Sequence, residues 1–264
     1  MIDFQSKESY SVNDLVEIVK ILREPGGCPW DREQDHHSIR RNFLEEAYEA
    51  VEAIDEEDPD HLREELGDVL LQVVFHARME QELGRFDLDG VADGICKKLI
   101  FRHPHVFGDV TVSGSGEVLQ NWDELKKQEK HQTTAADSVD AVAKSLPGLW
   151  RAEKVQKKAA KVGFDWPDVS GALEKLDEET GELKAAIAEG SNIEEELGDL
   201  LFAAVNVARF VHADPEDALG AACDKFARRF RQVEDAARAG GRDLKDMTLA
   251  EMDALWDRAK QTET

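Results

Sequence analysis

The stretch LEEAYEAVEAIDEEDPDHLREELGDVLLQVV, residues 44–74, decides the fold class of this chain. Its apolar residues recur at intervals of three and four, which places them on one face of a helix, and period-2 strand patterns are nearly absent from the chain. The predicted apolar faces are Phe43, Ala47, Ala50, Val51 and Ile54 on one helix and Leu62, Leu66, Val69, Leu70, Val73 and Ala77 on the next. The intervening E-E-D-P-D segment predicts a turn, with Asp58 as N-cap and Pro59 at the first helical position. The stretch therefore predicts an acidic helical hairpin and an all-α fold.

The hairpin occurs twice in the chain. E-E-x-x-E at residues 45–49 returns at 178–182, and E-E-L-G-D at 64–68 returns at 195–199. Paired basic and aromatic residues follow both copies in the same order: Lys98 with Arg102 and Lys225 with Arg229, then Trp122 with Lys126 and Trp256 with Lys260. Such repetition indicates two copies of one module. We expect an N-terminal domain over residues 1–127, a polar linker over 128–145 and a C-terminal domain over 146–264.

Glycines occur in the turn of the second hairpin and inside the second helix of each hairpin. Gly190 is predicted to end a helix, and Ser191 with Glu194 is predicted to form the capping box of the next one. Gly67 and Gly198 lie inside predicted helices, where glycine costs about 1 kcal/mol relative to alanine. Either tight helix packing or the close approach of a ligand explains them.

Composition excludes several classes of function. Among 264 residues, 57 acidic and 33 basic side chains give a net charge of −24, which repels nucleic-acid backbones and anionic lipids. No apolar run approaches the roughly 20 residues of a membrane span, and the first residues lack a signal peptide pattern, so we expect a cytoplasmic protein. Cys28, Cys96 and Cys223 form no C-x-x-C pair and are predicted to be buried free thiols rather than zinc ligands or disulfides.

The carboxylates of the hairpin have the spacing of a metal site. Glu46 and Glu49 share one helix face, and Glu65 and Asp68 share a face of the neighbouring antiparallel helix. Like charges so placed repel, and a divalent cation removes the conflict. Oxygen ligands without histidine or cysteine favour Mg²⁺, with Mn²⁺ as a substitute. A charge run on a helix is usually a solvated face, but repetition of the same spacing favours a metal site in each copy.

Histidines do not fit this metal site. A di-iron carboxylate bundle needs E-x-x-H on two helices, and neither copy has it. His76 follows Asp68 by eight residues and is predicted to be a packed or surface histidine, while His36, His37 and His61 fit loops and helix ends.

The basic residues suit phosphate. Lysine and arginine four residues apart present two positive groups on one side of a helix, and arginine grips phosphate through parallel hydrogen bonds. Trp122 and Trp256 would stack on a base, with packing in the core as the alternative. Lys175 stands one turn before Glu179, whereas the first copy has Asn42 at the matching position. The second copy is therefore the stronger candidate for nucleotide binding.

These motifs together resemble the MazG family of tandem-domain nucleoside triphosphate pyrophosphohydrolases. The resemblance spans nearly the whole chain and includes G-G-C-P-W-D at 26–31, R-H-P-H-V-F at 102–107 and G-F-D-W at 163–166. It implies two all-α modules in a homodimer whose helices pack into bundles. It also implies Mg²⁺-dependent cleavage of NTPs and dNTPs with many bases to monophosphate and pyrophosphate, mainly by the second domain.

The resemblance also implies roles for individual residues. The metal-ligand positions are Glu46, Glu49, Glu65 and Asp68 in the first copy and Glu179, Glu182, Glu196 and Asp199 in the second. The nucleotide contacts of the second domain are Lys175, Lys225, Arg229, Trp256 and Lys260. By repetition, Lys98, Arg102, Trp122 and Lys126 are the candidates in the first copy. Because Asn42 replaces the lysine, triphosphate binding by the first copy stays open.

The chemistry expected of such a site is attack of water on a phosphorus atom. The carboxylates would hold Mg²⁺ ions that clamp the triphosphate and lower the pKa of a bound water. Glu45 and Glu178 lie about 100° around the helix from the ligand set and would orient the water or act as base, unless they face solvent.

Two other functions are compatible with the same residues. One is an all-α pyrophosphohydrolase with a single preferred substrate, such as dUTP, dCTP or phosphoribosyl-ATP. The other is a helical protein that binds nucleotide and senses Mg²⁺ without catalysis, although carboxylate sets in both copies disfavour it.

Overall fold

The computed structural model describes residues 4–129 and 134–262. Within these ranges the regular elements are helices, so the predicted all-α class is confirmed. The chain divides into two compact units, residues 1–126 and 127–264. Of the segment predicted to be a linker, residues 130–133 lie outside the described residues, and residues 134–145 belong to the second unit. There Thr134 forms a capping box with Asp137 and starts a short helix.

The helices of the first unit follow one another with short turns, and the last of them crosses the unit boundary. They are α1 (Val12–Arg23), α2 (Pro29–Glu33), α3 (Arg40–Asp55), α4 (Pro59–Glu82), α5 (Leu88–Arg102), α6 (Pro104–Phe107) and α7 (Ser115–Glu129). The first acidic hairpin is α3–α4, and the turn is built as predicted: the Asp58 carboxylate accepts hydrogen bonds from the backbone N–H groups of Asp60 and His61 at 3.0 and 3.1 Å. This cap satisfies backbone donors that the helix itself leaves unpaired.

Helix α4 carries the core of the first unit. It packs against α3 over the length of the hairpin and against α1 and α5. The core cluster joins Val19 of α1 to Val74, Phe75 and Met79 of α4, and Ile39 closes it just before α3. Glu65 and Gln72 are also buried on α4, so the helix delivers polar groups as well as apolar ones to the interior.

The second unit repeats this arrangement. Its helices are α8 (Ala135–Asp140), α9 (Gly148–Ala160), α10 (Val169–Glu189), α11 (Ile193–Phe210), α12 (Pro215–Ala239) and α13 (Leu249–Thr262), with one turn of 3-10 helix at Leu244–Asp246. The second acidic hairpin is α10–α11, and α9 packs on α11 as α1 packs on α4. Helix α12 packs mainly on α13 and α9.

The turn between α10 and α11 differs in part from its prediction. Gly190 ends α10 with φ +71°, the left-handed conformation that glycine adopts without strain, as predicted. The predicted capping box of Ser191 and Glu194 is wrong. Asn192 precedes α11 with φ +56° and makes no side-chain cap hydrogen bond. Asparagine tolerates the left-handed region better than most residues, so a two-residue turn replaces the expected cap.

The predicted apolar faces, which belong to the first unit, are only partly covered within that unit. Ala50 is buried and Phe43 half-buried, but Val51, Ile54 and Leu66 are 47–55% exposed. Helix α3 has apolar side chains on two sides, and one side alone faces α4. The cysteine prediction fails in the same way, because Cys96 on α5 and Cys223 on α12 are free but exposed. None of the described helices is long and apolar enough to cross a membrane.

Candidate metal and nucleotide sites

The first acidic hairpin brings three carboxylates together. Glu46 and Glu49 project from α3 and Glu65 from α4, and one oxygen of each lies within 4.8 Å of the others. Asp68, one turn along α4, contributes its negative charge beside Glu46. Helical spacing and the antiparallel hairpin are sufficient to build this group.

The second hairpin builds an equivalent group. Oxygens of Glu179 on α10 and of Glu196 and Asp199 on α11 lie within 4.8 Å of one another. Glu182 is hydrogen-bonded to Glu179 and lies in the field of Glu196. The four predicted positions of each copy are therefore adjacent in the structure.

The crowded carboxylates shift one another's protonation. Burial, and next the charges of Asp68 and Glu49, raise the pKa of Glu46. A hydrogen bond with Glu179, and next burial, raise the pKa of Glu182. In each group one glutamate therefore holds its proton more tightly than an isolated carboxylate does, as burial beside like charges requires.

One glutamate in each group is buried with an unsatisfied oxygen. Glu65 and Glu179 are 9% and 5% exposed, and the Oε2 atom of each has no hydrogen-bond partner among the described residues. A buried anionic oxygen without a partner is costly. The donor sets contain carboxylates only, which suits a hard divalent cation such as Mg²⁺ or Mn²⁺. The residues present therefore fit a metal ion of this class.

The two groups differ in the basic side chain that contacts them. In the second unit Lys175 Nζ lies 2.6 Å from Glu179 Oε1 and 2.9 Å from Glu178 Oε1, and hydrogen bonds with these two glutamates raise the pKa of Lys175. In the first unit, where Asn42 replaces the lysine, His61 Nε2 lies 3.3 Å from Glu65 Oε1.

The contact of His61 was not predicted. Its Nδ1 atom is hydrogen-bonded to Glu56 at 3.2 Å, and this bond is the largest cause of the raised pKa of His61. The i, i+4 spacing of His61 and Glu65 was the available signal. In the first copy, therefore, the basic group beside the carboxylates is the imidazole of His61, which is shorter than a lysine side chain and is hydrogen-bonded to Glu56.

The predicted bases Glu45 and Glu178 lie next to the carboxylate groups, on the exposed side of their helices. Glu45 Oε1 accepts a hydrogen bond from Arg41 Nε at 2.8 Å, and Glu178 pairs with Lys175. Glu178 and the carboxylate group of the second unit therefore contact the same lysine, Lys175, whereas the partner of Glu45 is Arg41.

The predicted basic and aromatic residues meet each other in both units. The Arg229 guanidinium lies 5.9 Å from the ring centroid of Trp256, and Phe226 packs on the same tryptophan at 5.0 Å. Lys260 pairs with Asp257 at 3.0 Å, and Lys225 is exposed on α12.

The first unit has a matching arrangement. Lys126 Nζ lies 5.0 Å from the ring centroid of Trp122, which His103 contacts from its edge at 5.7 Å. Lys98 and Arg102 are both half-buried on α5. In each unit, therefore, a basic side chain packs on the ring of the predicted tryptophan. The carboxylate groups lie on other helices, the α3–α4 and α10–α11 hairpins.

The glycines inside α4 and α11 face open space. A Cβ atom built on Gly67 or on Gly198 meets no atom within 4 Å in the described structure. Tight packing within a unit is therefore the wrong explanation of these glycines, and access for a ligand or a partner chain remains.

Two contacts near the hairpins were not foreseen. In the first unit His36 Nδ1 lies 2.7 Å from His76 Nδ1, and His36 Nε2 lies 2.7 Å from Glu80 Oε1. In the second, the Trp166 ring lies directly against Gly171. Neither pair has a periodic spacing in the sequence, since each joins a loop to a helix.

Comparison with known proteins places these groups in a family. The family described as "MazG nucleotide pyrophosphohydrolase domain" matches residues 34–107 and 169–234, and each match includes one complete carboxylate group. The chain is 45% identical to the nucleoside triphosphate pyrophosphohydrolase of Escherichia coli K12, over 96% of this chain and 98% of that protein.

Two further relatives agree. The chain is 44% identical to the nucleoside triphosphate pyrophosphohydrolase/pyrophosphatase MazG of Thermotoga maritima, over 94% of each chain. It is 51% identical to the uncharacterized protein YabN of Bacillus subtilis, over 93% of this chain and 51% of that protein.

Proposed function

The chain belongs to the MazG nucleotide pyrophosphohydrolase family, and from this premise we propose that it hydrolyses nucleoside triphosphates to monophosphate and pyrophosphate. We propose further that the reaction depends on Mg²⁺, accepts ribo- and deoxynucleotides with many bases, and serves the nucleotide pool of the cytoplasm. The net charge of −24 supports a small nucleotide rather than a nucleic-acid polymer as substrate.

The carboxylate group of the second unit carries this proposal. Glu179, Glu196 and Asp199 converge to within 4.8 Å, with Glu182 bonded to Glu179 and Lys175 in direct contact with it. The oxygens proposed to bind the metal, from α10 and α11, and the lysine proposed to bind phosphate therefore lie beside one another. Acids on a solvated surface repel one another, so they would not be expected to converge on a buried glutamate with an unsatisfied oxygen.

These four acids would hold Mg²⁺, and Glu46, Glu49, Glu65 and Asp68 would do so in the first unit. When bound, the ion supplies positive charge to the phosphate oxygens and lowers the pKa of water. Mn²⁺ has the same preference for oxygen ligands and would substitute.

The basic residues of the second unit would bind the triphosphate. Lys175 exchanges its contacts with Glu178 and Glu179 for phosphate oxygens, since a lysine ammonium binds phosphate as a point charge. Lys225 and Arg229 neutralise charge that develops on the pyrophosphate leaving group. Trp256 and Lys260 complete the nucleotide contacts.

Release of Lys175 would leave the Glu178 carboxylate next to the reacting phosphate. It would then orient a water molecule and accept its proton at a side-chain oxygen as the water attacks phosphorus. Glu45 holds the corresponding place in the first unit, where Lys98, Arg102, Trp122 and Lys126 are the candidate nucleotide contacts. Because Asn42 offers no charge, we expect the second unit to be the principal catalyst.

Exposed apolar side chains support a homodimer. On α10, α11 and α12 the residues with 43–58% exposure include Leu173, Ile187, Leu197, Leu201, Phe202, Phe226 and Phe230. On α3, α4 and α5, Leu44, Tyr48, Val51, Leu66, Ile95 and Leu99 are 44–53% exposed. Apolar surface of this extent on consecutive helices marks an interface. A second copy of the chain would complete the helical bundles, as the relationship to the family implied.

The proposed function is tested by measuring pyrophosphate release from a panel of NTPs and dNTPs with and without Mg²⁺. We expect turnover of several bases by the wild type and its loss on chelation. Glu196→Gln should abolish turnover, whereas Glu195→Gln, its exposed neighbour outside the carboxylate group, should not. A wild-type protein that releases no pyrophosphate from any nucleotide would contradict the proposal.

A further inference from the structure

We propose that Trp166, in the loop before α10, is the platform on which the base of the bound nucleotide stacks. The inference rests on the proposed function, because it concerns the nucleotide held by the carboxylates and lysine of the same helix. Trp166 belongs to the G-F-D-W motif at 163–166, but neither that motif nor the repeated spacing assigns it a binding role.

The first observation is the contact between Trp166 and Gly171. A Cβ atom built on Gly171 would lie 2.2 Å from Cδ1 and 2.6 Å from Cγ of the indole. The ring therefore lies on the bare backbone of the first turn of α10, and any side chain at position 171 would displace it. Trp166 nevertheless remains 39% exposed. The indole is thus supported by the helix backbone and keeps part of its surface exposed, and stacking requires both.

The second observation is that the loop is fixed to the helix that carries the other acids. The Arg209 guanidinium donates to both oxygens of Asp165, with Nη1 to Oδ2 at 2.8 Å and Nη2 to Oδ1 at 2.5 Å. It also donates to Oδ1 of buried Asn206 on α11 at 2.7 Å. The backbone N–H of Trp166 in turn donates to Oδ1 of Asp165 at 3.0 Å. Glu196 and Asp199 lie earlier on the same helix, so loop and acids share one rigid support.

The third observation is the register along α10. Gly171, Lys175, Glu179 and Glu182 follow one another at intervals of four, four and three residues, so they lie on one face. Eight residues separate Gly171 from Glu179, a rise of about 12 Å. This distance matches the span from the base to the outer phosphates of an extended nucleoside triphosphate. A triphosphate held at Glu179 and Lys175 would therefore reach Trp166 with its base.

Trp256 is a poorer platform in this chain. Its ring already contacts Phe226 and the Arg229 guanidinium. Trp166 also accounts for tolerance of many bases, because stacking uses the π-face that every base has. In the first copy the positions that match Trp166 and Gly171, 133 residues earlier, are Glu33 and Ser38. The first copy has neither the aromatic ring nor the glycine.

Binding of two ligands to the full chain tests this role. Calorimetry with Mg²⁺ would compare an α,β-methylene NTP, which the enzyme does not cleave, with inorganic tripolyphosphate, which has no base. We expect Trp166→Ala to weaken nucleotide binding by about 10-fold or more, the effect of removing one stacked aromatic ring, and to leave tripolyphosphate binding unchanged. Trp166→Phe should retain most of the nucleotide affinity. In turnover assays KM should rise while kcat changes little.

Trp30→Ala is the matched control, because Trp30 is a 60% exposed tryptophan of the first unit, and it should change neither ligand's affinity. Equal weakening of nucleotide and tripolyphosphate by Trp166→Ala would reveal a purely structural role and overturn the inference. So would unchanged nucleotide binding. A wild-type protein that binds no nucleotide would instead overturn the proposed function, so the two failures are distinguishable.

Discussion

The two acidic hairpins have the same carboxylates in different surroundings. Helix α10 has 21 residues and reaches one turn further upstream than α3, which has 16. The extra turn presents Gly171 to Trp166 and leads into Lys175. In the first copy the matching residues form a loop that His36 ties to His76 and Glu80 of α4. The comparison teaches that the carboxylate hairpin is the repeated unit, whereas Lys175 and the contact of Trp166 with Gly171, both proposed to serve nucleotide binding, occur in only one of its copies.

The largest difference between the copies should appear when their carboxylates are removed. Glu179→Ala with Glu182→Ala should lower pyrophosphate release by about 100-fold or more, because a bound metal contributes several kcal/mol of transition-state stabilisation. Glu46→Ala with Glu49→Ala should affect whole-chain turnover far less. Circular dichroism would verify that both variants are folded. Equal losses from the two double substitutions would refute the assignment of catalysis to the second unit.

The next largest effect should come from exchanging Lys175 and Asn42, the residues that precede the two carboxylate groups. The exchange should alter the affinity for nucleotide. Lys175→Asn gives the second copy the residue of the first, and it should raise KM about 10- to 100-fold, since hydrogen bonds to charged groups are worth about 1.5–3 kcal/mol. Asn42→Lys is the reciprocal change and should increase binding of an α,β-methylene NTP by the chain, measured by calorimetry. If Lys175→Asn left KM unaltered, the lysine would be only a counter-ion of Glu179.

Much of this architecture follows from the sequence, because helix periodicity, the Asp58–Pro59 turn and the spacing of the acids are local properties. The predictions that were wrong concern burial, that is, whether a given side chain is covered and by which part of the protein. Periodicity marks Val51 and Leu66 as apolar and says nothing of whether their own unit or another chain buries them, and the exposed Cys96 and Cys223 follow the same rule. Trp166 and the His36–His76 pair make contacts between a loop and a helix, which no period records, whereas the i, i+4 spacing of His61 and Glu65 did offer a signal.

The pH dependence of stability should separate the crowded acids from ordinary ones. The pKa of Glu182 is raised in the folded protein, so the folded state binds this proton more tightly than the unfolded state and loses stability as pH rises from about 4.5. In EDTA, Glu182→Gln should therefore gain thermal stability relative to the wild type as pH rises through this window. Mg²⁺ should remove the difference by stabilising the wild type. A difference in Tm that is constant over this range would argue against the crowding.

The smallest effect should distinguish the two hairpin turns. Asp58→Ala removes a side-chain cap from α4 and should destabilise the first unit by about 1 kcal/mol. Asn192→Gly should cost almost nothing or stabilise slightly, because φ at this position is +56° and the side chain makes no cap hydrogen bond. Urea unfolding of both variants would measure this. Equal destabilisation would mean that Asn192 contributes a cap that the structure does not contain.

The most direct test of the central claim is a crystal structure of the full chain with Mg²⁺ and an α,β-methylene NTP. The account predicts Mg²⁺ at about 2.0–2.1 Å from carboxylate oxygens of the Glu179, Glu182, Glu196 and Asp199 group, with Lys175 moved from Glu179 to a phosphate oxygen. Carboxylates still paired with Lys175, and a nucleotide bound away from them, would contradict it.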